Sequence, residues 1–234
     1  MSLERVYLGT WQFESLNDVA AQAILEEARK AGITKFDTAA VYAGGRSELL
    51  LGDFIRSSDT VVTKVPARSK GELAIENAYS EEHIAAILDG SIDRLGRPPD
   101  VALMHNWRCD WENEAGKKIL EKFQILASER TISAVGISLP NGYNGEIEDS
   151  EVFDSVQYIE LPFNNESPLL SLDRIKGLQE AKQILVRSLL RHGKDISGMD
   201  DKFQTVLATG VSIVVGASRP EYINDWSVIC QQNS

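Results

Sequence analysis

Four polar residues stand at or just beyond the downstream ends of short apolar runs. Asp37 and Tyr42 lie in FDTAAVYAGGRSELLLG (36–52), Lys64 closes TVVTK (60–64) and His105 closes VALMH (101–105). An acid, a phenol, an amine and an imidazole together make a proton-transfer set. A free phenol ionises at about pH 10, and a neighbouring ammonium favours its phenolate form. Lys64 could supply that ammonium, and Asp37 the counter-ion that a buried lysine needs. His105 could donate a hydrogen bond to a carbonyl oxygen and hold it beside Tyr42. The phenol would then protonate that oxygen as hydride reaches the carbon, and act as base in the reverse direction.

Each residue has a plainer reading when taken singly. Asp37 could cap a helix, Tyr42 could be a half-buried packing residue, Lys64 a solvated strand end and His105 a satisfied core histidine. Four such residues in register are not easily explained by packing.

Such a set works only if other elements bring it together. Strand-length apolar runs recur near residues 5–9, 34–37, 60–64, 101–105, 134–138, 155–159, 184–188 and 211–216. Helical spacing marks 18–32, 46–55, 80–96 and 115–129; in the first, Ala20, Ile24 and Ala28 share a face and Gly32 is placed as a C-cap. Strands alternating with helices predict a parallel sheet with helical crossovers. Eight such units close into a (β/α)8 TIM barrel, an α/β fold. No linker composition divides the chain, so residues 1–234 read as one domain. Barrels carry their chemistry at the C-terminal ends of the strands. That rule selects Asp37, Lys64, His105, Ser138, Gln157 and Arg187, with Trp11 and Tyr42 in the loops just beyond. Trp11 and Trp107 are expected to line a substrate pocket. Gly44 and Gly45 are expected to give the backbone the freedom to present Tyr42.

The 234 residues, 43% of them hydrophobic, suffice for one sizeable core. A net charge of −11 repels phosphate backbones and argues against nucleic acid as a partner. Any anionic ligand must therefore be captured locally, by a helix N-terminus or an arginine. No run of about 18 apolar residues predicts a membrane span, and MSLERVYLGTW lacks the apolar core of a secretory signal. Two separated cysteines, Cys109 and Cys230, suggest a reducing cytoplasm. Neither GxxxxGK[ST] nor GxGxxG occurs, so the GGR turn is no phosphate loop of those kinds.

The string FDTA-x-x-Y-x-x-x-x-SE-x-x-LG, followed by TK and LMH, resembles the aldo-keto reductase family. The similarity runs from Gly9-Thr10-Trp11 to the final helix and so covers nearly the whole chain. It implies the barrel and a catalytic tetrad of Asp37, Tyr42, Lys64 and His105. It also implies NAD(P)H-dependent interconversion of a small carbonyl compound and its alcohol, with no metal. By the same resemblance Ser138 and Gln157 would hold the nicotinamide carboxamide, with Leu139 where an asparagine often follows. Arg187-Ser188 would end the seventh strand, where many members stack a tyrosine on the nicotinamide. Gly9, Thr10 and Trp11 would border the cofactor, and Gly216, Ala217, Ser218 and Arg219 would meet its phosphates. Gly216, Tyr222 and Trp226 stand where the family often has lysine, arginine and asparagine. Arg219 is thus the one cation in that loop, and NADP and NAD both stay open. Residues 187–201 leave little room for a lid and QQNS provides no specificity tail, which predicts an open, shallow site. GISLP and VRSLL resemble segments of sugar-pathway members, so a sugar-derived substrate is one option. The other reading is a non-catalytic barrel of the same family, serving as a binding or regulatory subunit.

Overall fold

The computed structural model describes residues 3–68, 74–145, 151–163, 172–179, 181–189 and 205–225. Eight strands are β1 (Val6–Gly9), β2 (Lys35–Asp37), β3 (Thr60–Val65), β4 (Val101–His105), β5 (Ala134–Ser138), β6 (Tyr158–Pro162), β7 (Gln183–Arg187) and β8 (Ser212–Gly216). They pair in parallel in sequence order, and β8 closes onto β1 through Val6↔Ile213 to Gly9↔Gly216. The alternation of strands and helices has produced the (β/α)8 TIM barrel it predicts. The described helices include α1 (Asp18–Lys30), α2 (Arg46–Gly52), α3 (Ile75–Ala78), α4 (Glu81–Leu95), α5 (Glu114–Glu129) and α6 (Leu172–Gln179).

Local signals explain the longer helices. Asn17 caps α1 by accepting from the Ala20 N–H at 2.9 Å, and Ala21, Ile24, Leu25 and Ala28 form its buried stripe. Ser80 caps α4 through the His83 N–H, and Gly96 ends that helix in a left-handed C-cap. Asn113 caps α5, accepting from the N–H groups of Ala115 and Gly116.

Two separate apolar clusters record the period-two alternation of the strands. Tyr7, Val62, Val101, Leu103 and Leu185, with Ala134, Tyr158 and Val214 packed on them, fill the barrel. Their strand neighbours, such as Leu8, Val61, Ala102, Ile137, Ile159 and Val186, meet the outer helices. Every second residue therefore faces inward. The last inward position on successive strands is Gly9, Asp37, Lys64, His105, Ser138, Arg187 and Gly216, with Glu160 inward on β6.

The sixth strand corrects one expectation. The sequence places it at 155–159 and puts Gln157 at its downstream end, whereas β6 runs Tyr158–Pro162. Gln157 precedes the strand on the opposite mouth of the barrel. It is exposed, and its Oε1 accepts from the Val135 N–H at 3.0 Å. A shift of an odd number of residues exchanges inner and outer faces. The residue delivered to the catalytic end is therefore Glu160, not Gln157.

Part of the FDTA…SE string is scaffold. Ser47 and Glu48 are both fully buried. Ser47 Oγ donates to the Thr10 carbonyl, while Glu48 accepts from Thr63 Oγ1 and, at 2.8 Å, from Arg94 Nε. These bonds tie α2 to the loop after β1, to β3 and to α4. A buried carboxylate needs such partners to offset its lost hydration.

Candidate active site

Asp37, Lys64, His105, Ser138, Glu160 and Arg187 descend on one end of the barrel from six consecutive strands, β2 to β7. The register holds them side by side: His105 pairs with Ser138, and Ser138 with Glu160. Tyr42 arrives from the loop after β2. Beyond it Ala43, Gly44 and Gly45 all have positive φ, at 50°, 65° and 93°. These left-handed residues turn the chain into α2, so the glycines serve the purpose expected of them.

Lys64 is at the centre and has no solvent exposure. Its ammonium donates to Asp37 Oδ1 at 2.6 Å and to the Thr38 carbonyl at 3.0 Å, and lies 3.2 Å from Glu160 Oε2. It also sits 5.3 Å from the centre of the Tyr42 ring. His105 meets Tyr42 edge to face, with ring centres 5.9 Å apart. Glu160 is itself fully buried. Its Oε1 accepts from Ser138 Oγ at 3.0 Å and pairs ionically with Arg187 Nε at 2.9 Å. Its Oε2, although close to Lys64, receives no well-directed hydrogen bond. Arg187 extends across the mouth, donating to the Leu139 carbonyl, Ser188 Oγ and Asn141 Oδ1.

The electrostatics follow from two carboxylates and two cations in a dry place. Burial and the nearby Glu160 charge push Asp37 upward against the pull of Lys64. Burial alone would raise Glu160 too, but Lys64 and Arg187 outweigh it and hold Glu160 below the usual carboxylate range. For Lys64, burial opposes the charge, and the carboxylates of Asp37 and Glu160 prevail, so the ammonium persists above its ordinary range. Tyr42 is pushed up to about 12: burial dominates, Lys64 pulls down, and both carboxylates push up again. His105 is driven down to about 3 by burial and by Lys64, and is a neutral imidazole. The site thus holds a protonated phenol beside a neutral imidazole. Lys64 does favour the phenolate, as the residue types suggest, but it does not prevail over burial.

The other expected site residues divide. Trp11 lies just past β1 with 44% of its surface exposed. Gly9 and Gly216 face each other at the ends of β1 and β8. Ala217 is buried, while Ser218 and Arg219 are exposed in the loop after β8. Ser188 follows Arg187 with φ 61°. Thr10 is brought near, but its hydroxyl is fully buried and bonded to Thr38 Oγ1 at 2.9 Å, which makes it a lock between two loops. Trp107 overturns its expected place in a substrate pocket. It has no exposure and packs edge-on against Trp111 and Phe153 outside the barrel wall. Its neighbour His105 faces inward, and Trp107 turns outward into the layer under α5. The lid segment beyond Leu189, Trp226 and the QQNS end lie outside the described residues.

Glu160 is the site residue that the sequence reading misses. Its signal is present in IELP, where a lone acid interrupts an apolar run at the parity of the inward positions.

A parallel eight-stranded barrel with an acid, a phenol, an amine and an imidazole at the C-terminal ends of its strands defines an α/β-barrel protein with an enzyme-like site. The sequence model of the aldo/keto reductase family matches residues 5–151, more than half of the chain, and the chain belongs to that family. An aldo-keto reductase of Gibberella moniliformis is 38% identical over 88 residues, which cover 36% of this chain and 27% of the fungal protein. The match thus spans about a quarter of that relative's length. Among solved structures, the holo form of an aldo-keto reductase from Bacillus halodurans superposes with a TM-score of 0.73 at 18% identity, covering 98% of this chain and 87% of that one. An aldo/keto reductase from Klebsiella pneumoniae, solved with NADP and acetate, gives a TM-score of 0.66 at 20% identity, covering 97% and 86%. At these identities the superpositions establish the shared fold.

Proposed function

We propose that this protein is an oxidoreductase that uses NADH or NADPH to interconvert a small carbonyl compound and its alcohol. The observation that carries this reading is Tyr42 set edge to face against His105, with its ring centre 5.3 Å from the Lys64 ammonium, at the C-terminal end of the barrel strands. Tyr42 would deliver its proton to the carbonyl oxygen. His105 would donate a hydrogen bond to the same oxygen and fix its direction. Lys64, held by Asp37, would stabilise the phenolate left behind.

The residues present fit the nicotinamide end of such a cofactor. A carboxamide NH2 needs buried acceptors, and Glu160 Oε2 is a buried acceptor with no well-directed donor. Ser138 and Glu160 would hold that group, with the Arg187 guanidinium beside the ring, because a planar guanidinium stacks on rings. Ser188 would stand beside Arg187 at that end. Gly9 and Trp11 would border the cofactor, and Gly216, Ala217, Ser218 and Arg219 would meet its phosphates. When bound, the dinucleotide supplies the hydride. One described cation in the phosphate loop, Arg219, gives little ground for a preference between NADP and NAD.

The substrate is a small carbonyl compound, a sugar-derived one being an option that the sequence supports, with exposed Trp11 at the entrance. We place the enzyme in the cytoplasm as one barrel domain. Titration with NADH and NADPH, followed by tryptophan fluorescence, tests binding. Steady-state reduction of small aldehydes and sugars tests activity. Tyr42→Phe should lower turnover by about 10²–10⁴-fold while leaving dinucleotide affinity largely intact. Undiminished turnover would remove Tyr42 as the acid. No binding of either dinucleotide would favour the non-catalytic barrel.

A further inference from the structure

We propose that Glu160 is a positioning residue for proton transfer: a second counter-ion for Lys64 that, anchored by Arg187 and Ser138, keeps Tyr42 in its phenol form. The proposal rests on the reductase reading for its meaning, and on the geometry of this chain for its grounds.

Lys64 has one positive charge and two buried carboxylates within ion-pair distance, Asp37 at 2.6 Å and Glu160 at 3.2 Å. One carboxylate would neutralise the ammonium. Once both are ionised, the second leaves a surplus negative charge beside Tyr42, and the second cation that restores balance is Arg187, on the far side of Glu160 at 2.9 Å. The charges that bear on the phenol are therefore those of Asp37 from β2, Lys64 from β3 and Glu160 from β6, with Arg187 from β7 more remote. His105 from β4 is neutral and Ser138 from β5 uncharged. The rim positions of β1 and β8 are Gly9 and Gly216 and add no charge. Moving Glu160 toward Arg187 or toward Lys64 changes how strongly the ammonium favours a phenolate. A phenol held protonated is armed for reduction of a carbonyl. By microscopic reversibility the same residue serves the reverse reaction, in which the small phenolate fraction of Tyr42 is the base.

The test needs neither dinucleotide nor substrate, so a failure of the reductase reading leaves it intact. The protein is labelled with difluorotyrosine, which ionises at lower pH than tyrosine, and the ¹⁹F resonance of residue 42 is assigned by its loss in Tyr42→Phe. Titration then gives the midpoint of that one phenol. E160Q should lower it by roughly 1–2 pH units, the effect of one charge a few ångströms away in a medium of intermediate polarity. E160D, which keeps the charge, should restore most of the shift. R187Q should move the midpoint the opposite way, upward, because it removes the cation that draws on Glu160. General loosening of the site would instead lower the midpoint in both variants, by letting in water. An unmoved midpoint in E160Q, or a fall in R187Q, overturns the proposal. Should E160Q fail to fold, the sign of the R187Q shift decides alone.

Discussion

Replacing Lys64 by methionine removes the charge that two buried carboxylates share while keeping most of the side-chain volume. At an effective dielectric constant of about 20, an ion pair at these separations attracts by roughly 5–6 kcal/mol before desolvation is counted. Removing one partner of a buried pair costs a net of about 3–5 kcal/mol, because an unpaired charge remains. In K64M the structure leaves Asp37 and Glu160 facing each other, with Arg187 compensating only Glu160. The protein can escape by binding a proton, and Asp37 is already held above its ordinary range by burial and by Glu160. A carboxyl whose folded value exceeds its unfolded one stabilises the fold below the unfolded value, and that contribution fades as pH rises toward the folded value. The gap to wild type should therefore grow, by about 1.4 kcal/mol per pH unit, above about pH 8, where wild-type Asp37 has released the proton that K64M keeps. We expect the gap to be level from about pH 5 to about pH 7 and to have widened by about 1–2 kcal/mol near pH 9. Urea unfolding followed by the fluorescence of buried Trp107 and Trp111 measures both. The double variant D37N/K64M should lose the pH dependence, because it removes the carboxyl that is forced to protonate. A wild-type-to-K64M gap that stays constant from about pH 7 to about pH 9.5 refutes the electrostatic argument, since packing alone has no such slope.

Two further outcomes follow from the geometry. Because His105 is driven down to about 3 and Tyr42 up to about 12, neither changes charge in the neutral range. The pH profile of kcat for carbonyl reduction should show no inflection near the ordinary imidazole value of about 6.5, since the site group pushed into the accessible range is Asp37, up to about 8; an inflection near 6.5 would contradict a neutral, buried His105. Gly136 lies on the inner face of β5, and a Cβ there would stand 2.2 Å from the Tyr158 carbonyl oxygen and 2.7 Å from Leu103 Cδ2. Gly136→Ala should cost at least about 1–3 kcal/mol of stability by thermal melting, and also disturb Ser138 two residues on.

The barrel is legible in the sequence because its information is repeated eight times. Each apolar run can be misplaced by a residue or two without altering the count, the parallel pairing or the crossover helices. The tetrad is legible for a different reason. Asp37, Lys64 and His105 each end the run that carries them, so the boundary of the run and the position of the chemistry are one signal. β6 lacks that coincidence. Its apolar stretch, VQYIELPF, has no polar terminus, and Gln157 and Glu160 compete as the residue that marks its end. Amide or acid, each could accept from a carboxamide, so residue type does not choose between them. The closure of the barrel does, by aligning Ser138 with Glu160 and Pro162 with Arg187. That choice matters to the chemistry. A glutamine at this point would leave Lys64 to Asp37 alone, and Arg187 would have no carboxylate to hold. With Glu160 there, Lys64 and Arg187 face two carboxyl groups, and the four side chains sum to zero once Asp37 is ionised, in a place where an unbalanced charge would cost several kcal/mol. The arginine at the end of β7, read from sequence as a substitute for an aromatic ring, is therefore also the partner that Glu160 requires.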